Sequence, residues 1–311
     1  MTESELIDPT YMPFSVADLR ERFNFTPRRS GSDPATRFVA SARRYSEHLA
    51  AVAAGAAPSP REVRRASQIQ KDETFWTAAC LMAFFHAGDP QGSDRGRAFA
   101  GLLERAFGPT PPLPDLDSWP ACVAGGVELF FEVGLSSPQA YRDWLRKHLD
   151  ERVLIPYLRD AAKQRSRLEG RTHLDAMLIA PKTGFAAHFE AKVSSDTDCQ
   201  VTFDCMRNQI ARNIDAMLEP PGRRARPPLN ERRPDRSVFV LLTPEVFKRE
   251  PATSRLYGWL MSDYMARPDS LARDLPHRPD EDWSAVSRRL GWLTWEDCNT
   301  VLPGACRWLA G

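Results

Sequence analysis

Asp175, Glu190 and Lys192 are ionisable residues in an otherwise apolar, small-residue stretch, LDAMLIAPKTGFAAHFEAK (Leu174–Lys192). The central PKTG (Pro181–Gly184) reads as a tight turn, so the stretch is expected to form a β-hairpin. Placing Lys182 and Thr183 at the tip sets Asp175 opposite Glu190 and Met177 opposite His188. Strand side chains alternate, so Lys192 and His188 share the face of Glu190. The other face is Leu174, Ala176, Leu178, Phe185, Ala187 and Phe189, all apolar. Two facing carboxylates have Cβ atoms about 5 Å apart and repel, at a cost of a few tenths to about 1 kcal/mol. A hard cation such as Mg²⁺ takes oxygen ligands and keeps waters for phosphate groups. A neighbouring lysine can orient a water and stabilise a phosphorane-like charge. The trio therefore has the parts for phosphodiester hydrolysis. The plainer alternative is a solvent-facing cluster of ion pairs on an exposed hairpin.

Glu190-Ala191-Lys192 is the only Glu-x-Lys of the chain, and it falls where the hairpin register requires. An acid on one strand followed by Glu-x-Lys on the next resembles the signature of the PD-(D/E)xK nuclease superfamily, which has the restriction-endonuclease-like fold. The order helix, hairpin, helix, strand, helix over residues 137–267 is similar too. Leu174 stands where that signature has proline. The resemblance implies Asp175 and Glu190 as metal ligands with the Ala191 carbonyl, Lys192 as catalytic, and Mg²⁺ as cofactor, with Mn²⁺ able to substitute. Some members carry a glutamine on the following helix that reaches the site, and Gln209 in RNQIARNID resembles it.

Arg212 and Asn213, within one turn of Gln209, are expected to face nucleic acid. Glu128, Glu132 and Glu151 are candidates to complete a second metal site, and His173 and His188 are expected as hydrogen-bonded neighbours. GRRARPPLNERRPDR (Gly222–Arg236) reads as an extended, arginine-dense loop, with Arg223, Arg224 and Arg226 as candidates to track phosphates.

The elements that must hold this centre divide in two. Residues 1–115 read as helical, with RFVASARRYSEHLAAVAAG showing apolar positions three or four apart and no strand alternation. PTPPLPDLDSWP (Pro109–Pro120) breaks that pattern, and residues 116–311 are expected to form the nuclease-like domain. There SSPQAYRDWLRKHLDER is expected as a helix capped by Ser137 with Pro138 in its first turn. A second helix is expected near Pro156–Leu168, and another over Phe203–Leu218. SVFVLLT (Ser237–Thr243) reads as a strand buried on both faces, with helices in RLYGWLMSDYMARP and DEDWSAVSRRLG. The fold class is α/β, a mixed sheet flanked by helices.

The chain of 311 residues is 42% hydrophobic and 27% charged, as in soluble globular proteins. Its 42 basic and 41 acidic residues nearly cancel, so any nucleic-acid contact must come from a local patch. MTESELIDPT is too polar for a signal peptide, and the apolar run Phe75–Phe85 is too short to span a bilayer. The six cysteines show no paired metal spacing and are expected reduced and mostly buried. The expectation is a cytoplasmic, Mg²⁺-dependent deoxyribonuclease acting on double-stranded DNA, of a kind found in restriction and antiviral defence. It has no membrane partner, and its helical N-terminal region is available to a protein partner or a second copy. The rival is a non-catalytic nucleic-acid-binding or scaffolding protein of the same fold.

Overall fold

The computed structural model describes residues 6–8, 12–25, 33–55, 59–88, 95–198, 203–251 and 255–309. A short antiparallel pair, β1 (Leu6–Asp8) and β2 (Met12–Ser15), opens the described chain. Helices α1 (Val16–Arg22), α2 (Pro34–Ala53), α3 (Pro60–Ile69), α4 (Glu73–Phe85), α5 (Arg95–Phe107) and α6 (Trp119–Cys122) follow. The expected all-helical start is thus corrected by one strand pair, too short to show alternation. Next come β3 (Glu128–Leu135), α7 (Gln139–Lys147), α8 (Leu149–Arg152), α9 (Pro156–Lys163), β4 (Thr172–Ala180) and β5 (Phe185–Ala191). The chain continues with α10 (Gln209–Leu218), β6 (Ser237–Thr243), α11 (Glu245–Arg249), α12 (Leu256–Ala266), α13 (Pro268–Asp274), α14 (Trp283–Arg288), β7 (Leu290–Thr294) and α15 (Trp295–Val301).

Five strands form one mixed sheet in the order β3-β4-β5-β6-β7. The first three are antiparallel and the last three parallel. β6 lies between two parallel neighbours and is buried at every position, as its unbroken apolar run requires. The hairpin pairs Ala176 with Phe189 and Met177 with His188, the register expected from its turn. Gly184 closes that turn at φ 73°, where a side chain would be strained.

One face of the sheet packs on the N-terminal helices. Ala176, Leu178, Phe185, Ala187, Phe189, Val240 and Leu242 share a continuous core with Phe75, Leu81, Leu103 and Trp119. Residues on both sides of the proline-rich stretch therefore contribute to the same core, and that stretch is a connection running along it. α4, buried along nearly its whole length, is the central helix of this layer. The other face carries Phe239 and Leu241 against α10, α12, α13 and α14.

Two helices begin later than the sequence suggests. The hydroxyl of Ser137 donates to Glu169 rather than capping α7, which starts at Gln139. Asn208 caps α10 by accepting from the Ala211 N–H at 2.9 Å, so residues 203–208 are turns and Met206 is exposed. Four of the described cysteines are buried and all five are free, while Cys199 lies outside the described residues. Among the described residues no helix is long and apolar enough to cross a membrane.

Candidate active site

The hairpin carries its chemistry at the end away from the turn. Glu190 is fully buried there, beside Leu241 of β6. Its Oε1 lies 2.7 Å from Lys192 Nζ, and its Oε2 accepts from Asn213 Nδ2 at 2.7 Å. Lys192 follows the last residue of β5, and its backbone N–H donates to the Leu242 carbonyl at 2.9 Å. The Trp295 indole donates to the Lys192 carbonyl at 3.4 Å, so the residue is held from two sides. Asp175 is half-buried, and its Oδ2 accepts from the Ala191 N–H at 2.7 Å. Asp175, Glu190, Ala191 and Lys192 are thus brought together.

A break in strand alternation places Asp175. Ala176 and Leu178 point to the N-terminal helices, Met177 and Ile179 to the opposite face. Regular alternation would send Leu174 with Ala176. Instead it packs with Met177, Ile179 and Val133, and Thr172 bonds to Asn213 of α10. Leu174 therefore leaves the apolar face expected of it. The cause lies next door: Phe131 pairs with Ala176 and Val133 with Leu174, which sets Glu132 across from Asp175 at φ 51°. A glutamate in the left-handed region is uncommon and costs on the order of 1–3 kcal/mol, a strain that gathers at functional sites.

Two further acids complete the cluster. The Thr74 hydroxyl donates to Glu132 Oε1 at 3.2 Å. Glu73, the first residue of α4, accepts from the Val193 N–H at 3.1 Å and from the Ser195 hydroxyl, and lies 3.9 Å from Lys192 Nζ. Glu132 was among the upstream candidates, whereas Glu73 was not. In sequence Glu73 reads as an ordinary first-turn acid behind the N-cap Asp72. Nothing local signals that a helix so far upstream abuts the hairpin.

Burial, and then the Glu190 charge, push the Asp175 carboxyl well above its usual range, against Lys192 and the Ala191 N–H. Burial also raises Glu190, with Lys192 pulling the other way. Burial alone would lower the Lys192 ammonium, but Glu190, Asp175 and Glu73 outweigh it and hold it above its ordinary value. Three carboxyl groups thus act on one ammonium, and a fourth, Glu132, acts on Asp175 and Glu190. An excess of carboxyl oxygens suits a hard divalent cation, and Asp175 and Glu190 with the Ala191 carbonyl are the groups that could hold one. Among the described residues no three acidic, His or Cys side chains converge as a ready coordination sphere.

Other expected participants lie elsewhere. Gln209, at the start of α10, accepts from the Asp198 N–H at 3.4 Å and does not reach the cluster; Asn213, one turn on, does. Asn213 is fully buried, so it positions Glu190 rather than touching nucleic acid. Arg212 donates to the Gly170 and Arg171 carbonyls at 3.0 and 2.8 Å and pairs with Glu169, which commits its guanidinium to the protein. Glu128 pairs with Arg22 at the turn end of the sheet, and Glu151 is exposed on α8. His188 is buried with neither ring nitrogen hydrogen-bonded, which corrects the expected partnership. Burial keeps its imidazole well below its usual pKa, hence neutral.

The arginine loop is corrected more strongly. α10 runs back along the sheet, so Gly222–Arg236 lies at the turn end, roughly 20 Å along β5 from Lys192. The loop is also pinned. Arg232 donates to the Met217 and Glu219 carbonyls at 2.6 Å each, Arg236 to the Thr183 carbonyl at 2.6 Å, and Arg226 to the Asn24 carbonyl at 3.3 Å. Arg223 and Arg224 remain exposed, at the opposite end of the sheet from Lys192. Comparison with protein-family models, with curated proteins and with solved structures gave no match, so the functional reading rests on the residues and their geometry.

Proposed function

We propose that the protein is a metal-dependent nuclease that hydrolyses phosphodiester bonds of DNA, with restriction or antiviral defence as its setting. The observation that carries this reading is the buried Lys192–Glu190 contact, inside a cluster whose acids outnumber their cation. A purely structural ion pair needs one acid, and the strained Glu132 beside Asp175 adds cost without a folding benefit.

Asp175 and Glu190 would hold Mg²⁺ or Mn²⁺, which would supply charge neutralisation for the phosphate and a more acidic bound water. Lys192 remains cationic at neutral pH, so its contribution is electrostatic: orienting the attacking water and offsetting charge on the phosphate oxygens. Asn213 and the Ala191 N–H fix the two carboxylates, limiting the reorganisation required at the moment of reaction.

One observation favours the rival reading of a non-catalytic nucleic-acid-binding protein. Both Glu190 oxygens already face partners, and Asp175 already accepts a backbone bond. Calorimetric titration of Mg²⁺ and Mn²⁺ into the wild type and Asp175→Asn separates the two. The nuclease reading expects saturable binding that the variant loses, and absence of heat with both ions would favour the rival.

A further inference from the structure

The segment between β3 and β4 leaves and re-enters the sheet at the Asp175–Lys192 end, since Leu135 pairs with Thr172 there. It is bound to the start of α10 through Arg212 and through the Cys205 N–H, which donates to the Arg152 carbonyl at 3.1 Å. Its inner side has its own small core of Tyr141, Leu145, Leu149, Val153, Ala162 and Leu168. The outer side is unusual in two ways. Residues 136–171 hold nine lysines and arginines against five acids, in a chain with one net positive charge. Lys147, Arg165, Arg167 and Arg171 are exposed and have no acidic partner among the described residues. Amid this charge stand three strongly exposed apolar side chains, Leu154 (79%), Ile155 (56%) and Tyr157 (81%), with Leu158 and Met206 also exposed. Leu154 to Leu158 occupies the α8–α9 junction, where burying them inward would displace the small core.

We propose that this surface binds single-stranded nucleic acid and leads it to the cluster at the same end of the sheet. This rests on the nuclease reading for its purpose, but not for its test. Unpaired cations suit a polyanion, and an exposed tyrosine with flat aliphatic neighbours suits the faces of unpaired bases. A duplex hides those faces, so it would use the charge and leave the apolar side chains in water. An apolar protein partner would gain little from the surrounding uncompensated cations.

The test is fluorescence anisotropy of the full chain in chelator with a labelled oligothymidine strand and a duplex of equal length. Wild type should bind the strand more tightly than the duplex. Tyr157→Ala should weaken strand binding on the order of tenfold, with Tyr157→Phe close to wild type. Arg165→Ala with Arg167→Ala and Arg171→Ala should flatten the log–log salt dependence by roughly one for each phosphate left without its arginine. Arg223→Ala with Arg224→Ala, at the far end, should change neither. All these side chains are exposed, and unchanged melting temperatures would show that the variants fold. Absence of strand binding by wild type, or equal binding by the Tyr157 and triple-arginine variants, would overturn the proposal. So would a self-association abolished by Tyr157→Ala without any effect on the strand. Strand binding that behaves as expected, with no cleavage after Mg²⁺ is added, would sink the nuclease reading and leave this surface standing.

Discussion

Lys192 Nζ meets Glu190 Oε1 at 2.7 Å where the glutamate is fully buried, so each charge is the other's main compensation. Removing one partner leaves the other charged in a low-dielectric site, which costs about 3–5 kcal/mol. Lys192→Ala should therefore melt well below wild type in chelator, and Mg²⁺ should restore part of the loss by neutralising Glu190. Thermal melts with and without Mg²⁺ check this, and a variant as stable as wild type would mean that Glu190 is not ionised there.

Asn213 connects α10 to this pair. Asn213→Ala removes the donor to Glu190 Oε2 and leaves the Thr172 hydroxyl without its acceptor. The expected cost is about 1.5–3 kcal/mol, because the bond serves a charged group. Cleavage should fall more than metal affinity does, since Glu190 remains but is less firmly placed. Urea unfolding and metal titration of the same variant measure the two effects separately.

The hairpin was legible because the turn residues PKTG determine its register, which holds from Ala180–Phe185 to Ala176–Phe189; beyond that pair the ladder ends, and Asp175 meets the Ala191 N–H beside Glu190. β6 was legible for a similar reason, as seven consecutive buried positions leave a continuous apolar signal. β3 gives no clear strand signal in sequence, because its alternation is interrupted at Glu132, the residue that contributes to the site. β7 is only five residues long and merges with α15. Glu73 was invisible because its role depends on the packing of α4 against the far end of the hairpin. The arginine loop was misplaced because the crossover through α10 returns the chain to the turn end. Parallel β5 and β6 require that reversal.

Asp175 and Asp215 should respond to pH with opposite signs. The Asp175 pKa is raised by burial and Glu190, so folding takes up protons there. That stabilising contribution is fully present below the ordinary carboxylate range and is lost as pH rises through the raised value. Asp175→Asn keeps an oxygen for the Ala191 N–H and removes the charge. In chelator at neutral pH it should match wild type or exceed it by up to about 1 kcal/mol. The advantage should vanish on acidification, as the wild-type carboxyl protonates. Melting curves of both proteins over a pH series read the difference directly, and a variant clearly less stable at neutral pH would contradict it.

Asp215 is buried among Arg207 at 2.7 Å, Arg278 at 2.6 Å and His277 at 3.0 Å. Burial opposes its charge, but the His277 hydrogen bond and the Arg207, His277 and Arg278 charges outweigh it and hold the carboxyl far below its usual range. Its stabilisation is therefore present above the ordinary carboxylate pKa and is lost as pH falls from there toward the depressed value. Asp215→Asn should cost about 3–5 kcal/mol at neutral pH, and the gap should narrow as the medium is acidified. Urea titrations of both proteins at neutral and acidic pH test this.

Cleavage itself is the most direct test of the account. Wild type and Lys192→Ala are incubated with labelled linear duplex and single-stranded DNA, with Mg²⁺ or with chelator, and the products are separated on a denaturing gel. Shortened products are expected only with wild type and Mg²⁺, and none with the variant or in chelator. Intact DNA in every wild-type lane, or equal cleavage by the variant, would contradict it.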